Sequence, residues 1–333
     1  MTEVLWSRWQ GEDCIRVGGV APGTDVRVLP VGATVIGRLP AMAGRTVLDG
    51  RDACFVPRFA FVDGTAYSVS VDGVTRATLR RPRRPRSATT EVLAIYPSAQ
   101  EVPRNLLRFY VLFSAPMSEG SARNQLRLVD GSGEALAGAF LPTDYELWDT
   151  DRRRLTVLLD PARIKRGLLP HRQAGYPIRT GHRFLLVVEA GFHDARGAPL
   201  RSPAERTYGV GGDERRHVEP GEWALRPPAG HSLEPLEIGF DRPLDHGLLH
   251  RCLHVMDPNG RPVLGTAEVG SAEQSWRLVP ARPWAPRPHG LVVDHILEDL
   301  AGNSVSRVFD QDRSRRGDAS RTKRPFVRTF SPL

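Results

Sequence analysis

A basic segment between residues 163 and 183 holds the side chains with the clearest potential for ligand chemistry. Its candidate binding residues are Arg163, Lys165, Arg166, Arg172, Tyr176 and Arg179. Arginine can grip a carboxylate or phosphate through two parallel hydrogen bonds, and a tyrosine ring could stack on a sugar or base. The alternative is a structural loop whose cations pair with Asp149, Asp151 and Asp160.

A second segment, residues 144–151, is rich in carboxylates. Asp144, Glu146, Asp149 and Asp151 could present oxygen ligands to a hard cation such as calcium. The alternative, which we favour, is a β-turn whose Asp side chains cap backbone amides while Trp148 packs into the core. We therefore expect no cofactor, with calcium as the metal to test.

Three histidines, His246, His250 and His254, recur at every fourth residue. On one helix they would share a face and could bind zinc. The internal repeat described below places His246 in a short turn and His254 in the next strand, so we expect the three not to share a face. We predict no metal site there.

The sequence lacks the common catalytic signatures. It has no Walker loop, no GxSxG elbow, no HExxH pair and no dinucleotide-binding fingerprint. We expect a non-catalytic protein, although missing motifs do not exclude an enzyme.

The elements that must position these residues occur twice, in the same order. Matching segments of the two copies are Phe113–Met117 with Phe240–Leu244, Leu128–Gly133 with Val255–Gly260, Pro161–Arg163 with Pro280–Arg282, and Asp194–Gly197 with Asp299–Gly302. Two tandem copies of one module are the simplest explanation.

The offset between the copies shows where the first one is longer. It is 127 residues at Phe113/Phe240, 119 at Pro161/Pro280 and 105 at Asp194/Asp299. Fourteen of the extra residues therefore lie between Pro161 and Asp194, and we place them in the basic segment. Loops added to a repeated scaffold often carry its specific function.

The chain of 333 residues has the length of three domains near 100 residues each. Short runs with period-two alternation, such as Asp25–Leu29, Thr34–Gly37 and Tyr67–Val71, predict strands, and 28 Pro with 32 Gly favour many turns. We predict an all-β fold of three tandem Ig-like or fibronectin-like antiparallel sandwiches. Their predicted ranges are 1–79, 91–212 and 213–312, with an Arg/Pro linker over 80–90 and a flexible basic tail over 313–333.

A net charge of +8 invites a nucleic-acid hypothesis. Only two of 46 basic residues are lysine, many arginines lie close to acids, and the densest runs fall in the predicted linker and tail. We expect no nucleic-acid partner.

The three cysteines, Cys14, Cys54 and Cys252, match no zinc spacing. Cys14 and Cys54 could form a disulfide or remain buried thiols. No segment has the roughly 20 apolar residues that a membrane helix needs, nor the pattern of a signal peptide, so we expect no membrane insertion.

Residues 90 to 312 resemble a known family through several distinctive segments. These are FSAPMS, FLPTDYELWD, RRLTVLLDPARIKRGL, DARGAPL, FDRPLDHGLL, GTAEVG and LEDLAGN. Together they resemble the bacterial Ig-like domain family named after the N-terminal region of the S-layer protein SbsA. The resemblance implies two Ig-like sandwiches, usually in exported or cell-surface proteins, and no established catalytic residues.

The expected function is therefore binding or scaffolding, with a protein or polysaccharide partner at a cell surface. The alternative is an enzyme or accessory protein of a biosynthetic or degradative pathway, with its site near residues 163–183. The resemblance implies an extracellular location, whereas the visible sequence, having no signal peptide, favours the cytoplasm. Ligand identity and oligomeric state stay open.

Overall fold

The computed structural model describes residues 3–31, 41–82, 87–310 and 323–333. The chain divides into two compact units, residues 1–86 and 87–333. The strand predicted at Thr34–Gly37, residues 83–86 of the predicted linker and residues 313–322 of the predicted tail lie outside the described residues.

The first unit is a small β-sandwich. One sheet has the order β1-β2-β5-β4 and the other β3-β6-β7, formed by β1 Val4–Trp9, β2 Glu12–Val17, β3 Val26–Val31, β4 Gly44–Asp49, β5 Asp52–Pro57, β6 Ala66–Val71 and β7 Val74–Arg80. Alternate residues of β6 are buried, as the period-two pattern of the sequence predicts. Trp6, Phe61 and Tyr67 pack edge to face in its core.

The second unit begins with a larger sandwich. Its sheets have the orders β12-β13-β10-β8 and β11-β14-β15-β9, formed by β8 Val92–Tyr96, β9 Glu101–Pro103, β10 Arg108–Phe113, β11 Leu126–Asp130, β12 Leu147–Trp148, β13 Arg154–Leu158, β14 Arg183–Val188 and β15 Ala204–Gly211. All neighbours pair antiparallel except β9, which pairs parallel to β15. Phe109, Phe184 and Tyr208 lie fully buried between the sheets.

A third sandwich completes the second unit. Its sheets have the orders β16-β17-β20-β19 and β18-β21-β22, formed by β16 Ala224–Arg226, β17 Leu236–Gly239, β18 Leu253–Met256, β19 Gly265–Val269, β20 Ser275–Pro280, β21 His289–Val293 and β22 Phe326–Phe330. Trp223, Trp276 and Trp284 fill its core. The chain is thus all-β, with three Ig-like sandwiches, as predicted.

The strand pairings repeat as the sequence does. β10 pairs with β13 as β17 pairs with β20, and β11 pairs with β14 as β18 pairs with β21. Equivalent turns use equivalent side chains as well. The carboxylates of Asp194 and Asp299 each accept hydrogen bonds from backbone amides two and four residues ahead, at 2.9 Å. The second and third sandwiches are therefore two copies of one module.

The prediction of a flexible tail is wrong for Phe326–Phe330. This segment pairs with β21 just as β15 pairs with β14, so it is the closing strand of the third sandwich. Phe330 is buried between Trp284 and His289. The basic residues near this segment had predicted a solvated tail, but burial of the Phe330 ring holds the segment against the sandwich.

Helices in the described residues are short. They are α1 Ala122–Gln125, α2 Pro161–Ile164, α3 Leu169–Ala174 and α4 His246–Cys252, with 3-10 turns at Pro220–Glu222 and Ser271–Glu273. In the described part of the chain, no helix is long and apolar enough to cross a membrane. Cys14 and Cys54 are buried free thiols on the neighbouring strands β2 and β5, and Cys252 is likewise buried and free.

Replacing Phe330 with alanine tests whether β22 belongs to the core. We expect F330A to lower the free energy of unfolding by about 3–5 kcal/mol, because it removes a buried aromatic side chain. V327A, at an exposed position of the same strand, should cost less than about 1 kcal/mol. Denaturant unfolding of both variants measures the difference, and equal stability would contradict the role of β22.

Candidate functional site

The basic segment connects β13 in one sheet of the second sandwich to β14 in the other, so the extra residues of the first copy form one excursion between the two sheets. It begins where Asp160 caps α2 by accepting a hydrogen bond from the Ala162 amide at 2.9 Å, with Pro161 in the first turn. α3 follows and ends at Gly175, whose φ of +67° suits glycine.

Arg163 holds this excursion together. Its guanidinium donates to five backbone carbonyls at 3.0–3.2 Å, those of Ala137, Gly138, Ala174, Gly175 and Tyr176. Burial lowers the pKa of Arg163. Because all five donors of an arginine are used, Arg163 shapes the site rather than gripping a ligand.

Three further predicted ligand residues contact other side chains of the protein. Arg166 Nε donates to Asp310 at 2.9 Å, and the Lys165 ammonium lies 4.5 Å from the ring centre of Phe309. The Arg104 guanidinium carbon lies 4.4 Å from the ring centre of Tyr176, so Arg104 covers one face of this ring. The basic segment thus does form structural ion pairs, but with Asp310 rather than with the three acids that the sequence suggested.

Asp213 lies in the connection between the second and third sandwiches and pairs with neighbouring cations. It forms ion pairs with Arg104 and, at 2.9 Å, with Arg215, and Arg215 also pairs with Asp310. Burial raises the pKa of Asp213, but the hydrogen bonds from Arg104 and Arg215 outweigh burial and hold the pKa at about 2.

Other residues of the excursion form one wall of a groove, which we name the insertion groove. It is a cavity of about 340 Å³ whose charged lining is Asp130, Glu134, Arg163, Arg179, His182 and Arg183. The Oδ1 atom of Asp130 is held by its own turn, accepting hydrogen bonds from Ser132 and from the Glu134 amide. Arg179 and Arg183 are exposed, and no hydrogen bond or ion pair of their side chains occurs within the described residues.

Arg179 is therefore the predicted ligand residue that the structure leaves free inside a cavity. Arg172 is also exposed, on α3, but it does not line the groove. Sequence reasoning missed Arg183 and His182 as groove residues. Their position directly before or at the start of β14 could have identified them, because the last residues of an inserted loop lie where the next strand begins.

The carboxylates of residues 144–151 are largely used within the second sandwich. Glu146 accepts hydrogen bonds from the Ala122 amide and the Trp148 indole, both at 2.7 Å, and Asp149 accepts from the amides of Arg153 and Arg154. Asp144 and Asp151 are exposed. No three His, Cys, Asp or Glu side chains in the described ranges are grouped to hold a metal ion. The hydrogen bonds of Asp149 match the turn that we favoured.

The three histidines do not share one face, as predicted, but the prediction of a short turn at His246 is wrong. His246 and His250 lie on the same face of α4, with their Nε2 atoms 3.3 Å apart, while His254 lies on β18. The repeat suggested a short turn at His246 because the equivalent helix of the first copy, α1, has four residues and begins later. Asp245 starts α4 earlier by accepting a hydrogen bond from the Leu248 amide at 2.9 Å.

The second and third sandwiches meet in a buried polar contact, which we name the junction. Arg108 on β10 lies between Asp245, at 3.4 Å, and Glu298. Tyr110 donates its hydroxyl to Asp245 at 2.7 Å. Burial raises the pKa of both Tyr110 and Glu298. Sequence reasoning missed these residues because the partners are 135 and 190 positions apart.

Comparison with solved structures finds immunoglobulin-type chains. A marsupial T cell receptor is 6% identical over 99% of both chains, with a TM-score of 0.25. A second marsupial T cell receptor is 10% identical over 84% of this chain and 92% of that one, with a TM-score of 0.18. A structure on Dscam isoform specificity is 9% identical over 91% of this chain and 76% of that one, with a TM-score of 0.16.

No family model and no curated protein matches the chain. The similarity to solved structures is too low to assign a family or an activity. The strand pairings described above establish the three sandwiches.

Substitution of Asp213 by asparagine tests its role among the cations. At pH 7 we expect D213N to lower the melting temperature, because Arg104 and Arg215 lose their shared counter-charge. The folded pKa of about 2 lies below the unfolded value. The stabilisation is therefore present above about pH 4 and is lost as the pH falls from about 4 towards 2.

The difference in melting temperature between wild type and D213N should shrink over that range, as measured by thermal unfolding at pH 7, 4 and 2.5. D144N, at an exposed carboxylate, is the matched control and should leave the melting temperature unchanged. A difference that grows below pH 4 would contradict this account.

Proposed function

We propose that this chain is a non-catalytic Ig-like binding protein of a cell surface, and that its insertion groove binds an acidic saccharide unit of a polysaccharide. The observation that carries the proposal is the position of Arg179 and Arg183. They lie in a cavity walled by the segment that the first copy of the module has and the second lacks.

The chemistry of the groove supports an anionic ligand of modest size. Its volume of about 340 Å³ lies at the small end of the range for small-molecule sites, about 300–1,000 Å³. Two exposed guanidinium groups that have no partner among the described residues suit a carboxylate or sulfate, which arginine binds through two parallel hydrogen bonds. Asp130 and Glu134 line the same cavity and can accept hydrogen bonds from sugar hydroxyl groups.

The half-buried side chains of Arg163 and Tyr176 make the excursion rigid. Arg163 is bonded to five carbonyls, and Tyr176 is covered by Arg104. These contacts hold the wall of the insertion groove in place before a ligand binds. Less conformational entropy is therefore lost on binding.

The cell-surface location is part of this proposal, and a sequence resemblance supports it. It follows from the resemblance of residues 90–312 to the family named after the SbsA S-layer protein, whose members are usually exported or on cell surfaces. The proposal can be tested independently of location, because groove binding is a property of the isolated protein.

The test measures binding of the purified chain to acidic and neutral oligosaccharides by isothermal titration calorimetry. We expect binding to acidic oligosaccharides alone and at least a tenfold loss in affinity for the double variant R179Q/R183Q. R172Q removes an exposed arginine of the same segment outside the groove, and it should bind like wild type.

Four outcomes would overturn the proposal. Equal affinity of R179Q/R183Q and wild type would exclude the groove as the site. Equal loss with R172Q would show only a general effect of net charge. Absence of binding to any acidic saccharide would exclude the saccharide and favour a protein partner. Cleavage of a bound oligosaccharide during the titration would favour the alternative of an enzyme with its site near residues 163–183.

A further inference from the structure

Successive turns of α4 bring two imidazoles together at the junction. His246 and His250 are four residues apart on one helix, so their side chains lie one above the other. Their Nε2 atoms are 3.3 Å apart and their ring centres 4.9 Å. The proposed saccharide groove does not include either residue.

This separation fits two ligands of one tetrahedral metal ion. With metal–nitrogen bonds of about 2.0–2.1 Å, two tetrahedral nitrogen ligands are about 3.3 Å apart, and the ring centres are about 5.2 Å apart. Two lone pairs at this distance repel each other unless a proton or a metal cation lies between them. The competing explanation is therefore a hydrogen bond between one protonated and one unprotonated Nε2 atom.

The surroundings of His246 orient its Nε2 atom towards His250. The Tyr96 ring stacks on the imidazole with centres 3.4 Å apart and planes at 13°. Glu273 Oε1 lies 3.7 Å from His246 Nδ1, and the Glu273 side chain is only 1% exposed. The 3.7 Å contact is an ion-pair distance rather than a hydrogen bond, and Nδ1 is buried with no hydrogen-bond partner among the described residues. A proton on Nδ1, facing this carboxylate, would leave the lone pair of Nε2 directed at His250, which is the tautomer that binds a metal through Nε2.

Glu273 itself is held in place. Its two carboxylate oxygens accept hydrogen bonds from the Ser98 amide at 3.0 and 2.8 Å. Ser98 belongs to the second sandwich and Glu273 to the third, so the junction supplies this outer support. The arrangement does not depend on α4 alone.

We infer that His246 and His250 form a site for a divalent transition-metal ion such as Zn²⁺, with water in the remaining positions. Imidazole nitrogen suits zinc, nickel and copper, whereas calcium and magnesium prefer oxygen ligands. No cluster of three or more His, Cys, Asp or Glu ligands occurs among the residues that the structure describes. The site is therefore open, and Arg154, whose charge acts on His250, weakens cation binding further.

The test uses the full chain without an affinity tag, stripped with a chelator that is then removed. Isothermal titration calorimetry with Zn²⁺ and Ni²⁺ should show one ion per chain, and Ca²⁺ should not bind. H250Q should weaken Zn²⁺ binding at least tenfold, and because His250 is the more exposed ring, this variant should retain the fold. H254Q removes the third histidine of the series, on β18, and should bind like wild type.

A second readout separates the metal site from a hydrogen-bonded pair. With one equivalent of Cu²⁺, electron paramagnetic resonance should show coupling to two nitrogen nuclei in wild type and to one in H250Q. Unchanged Zn²⁺ affinity in H250Q would overturn the inference, as would equal losses in H250Q and H254Q. Copper spectra without nitrogen coupling would do the same.

Discussion

The largely buried Arg108 guanidinium is the constraint on which the second unit depends. A charge removed from water is costly unless it is paired, and the two carboxylates that pair with Arg108 belong to the other sandwich. Asp245 satisfies three requirements at once, since it pairs with Arg108, accepts from Tyr110 and caps α4. The two sandwiches are therefore fixed relative to each other, in agreement with their forming one compact unit.

Close packing reinforces this charge pairing. A Cβ atom at Gly247 would lie 2.8 Å from the Tyr110 hydroxyl, so only glycine lets α4 approach β10 closely enough for the hydroxyl to reach Asp245. The backbone amide of Leu107 donates to the carbonyl of Leu300 at 2.9 Å in the same region. Loss of one partner would leave a buried charge or polar group unpaired, which makes the junction cooperative rather than a sum of separate contacts.

The two copies of the module use one scaffold for different purposes. The first copy adds the excursion, in which the hydrogen bonds of Arg163 hold the wall of the groove in place. The second copy has a longer helix before β18, and this helix, α4, is capped by Asp245 and carries His246 and His250. Cations are distributed accordingly. Arg166 of the basic segment pairs with Asp310, and Arg104 and Arg215 pair with Asp213. Of the arginines that line the groove, Arg163 is bonded to carbonyl groups, which leaves Arg179 and Arg183 available to a ligand.

Sequence by itself determined the all-β class, the tandem repeat and the position of the added segment, because alternation, turn residues and offsets are local or periodic signals. It also favoured the carboxylate-capped turn at Asp149, which local hydrogen bonds produce. Tertiary structure alone decided which arginines remain free, that His246 and His250 converge, and that Phe326–Phe330 is a strand. Each of these depends on partners far away in the chain, such as Asp310 for Arg166 and Trp284 for Phe330, and such pairings are set by packing that no local pattern records.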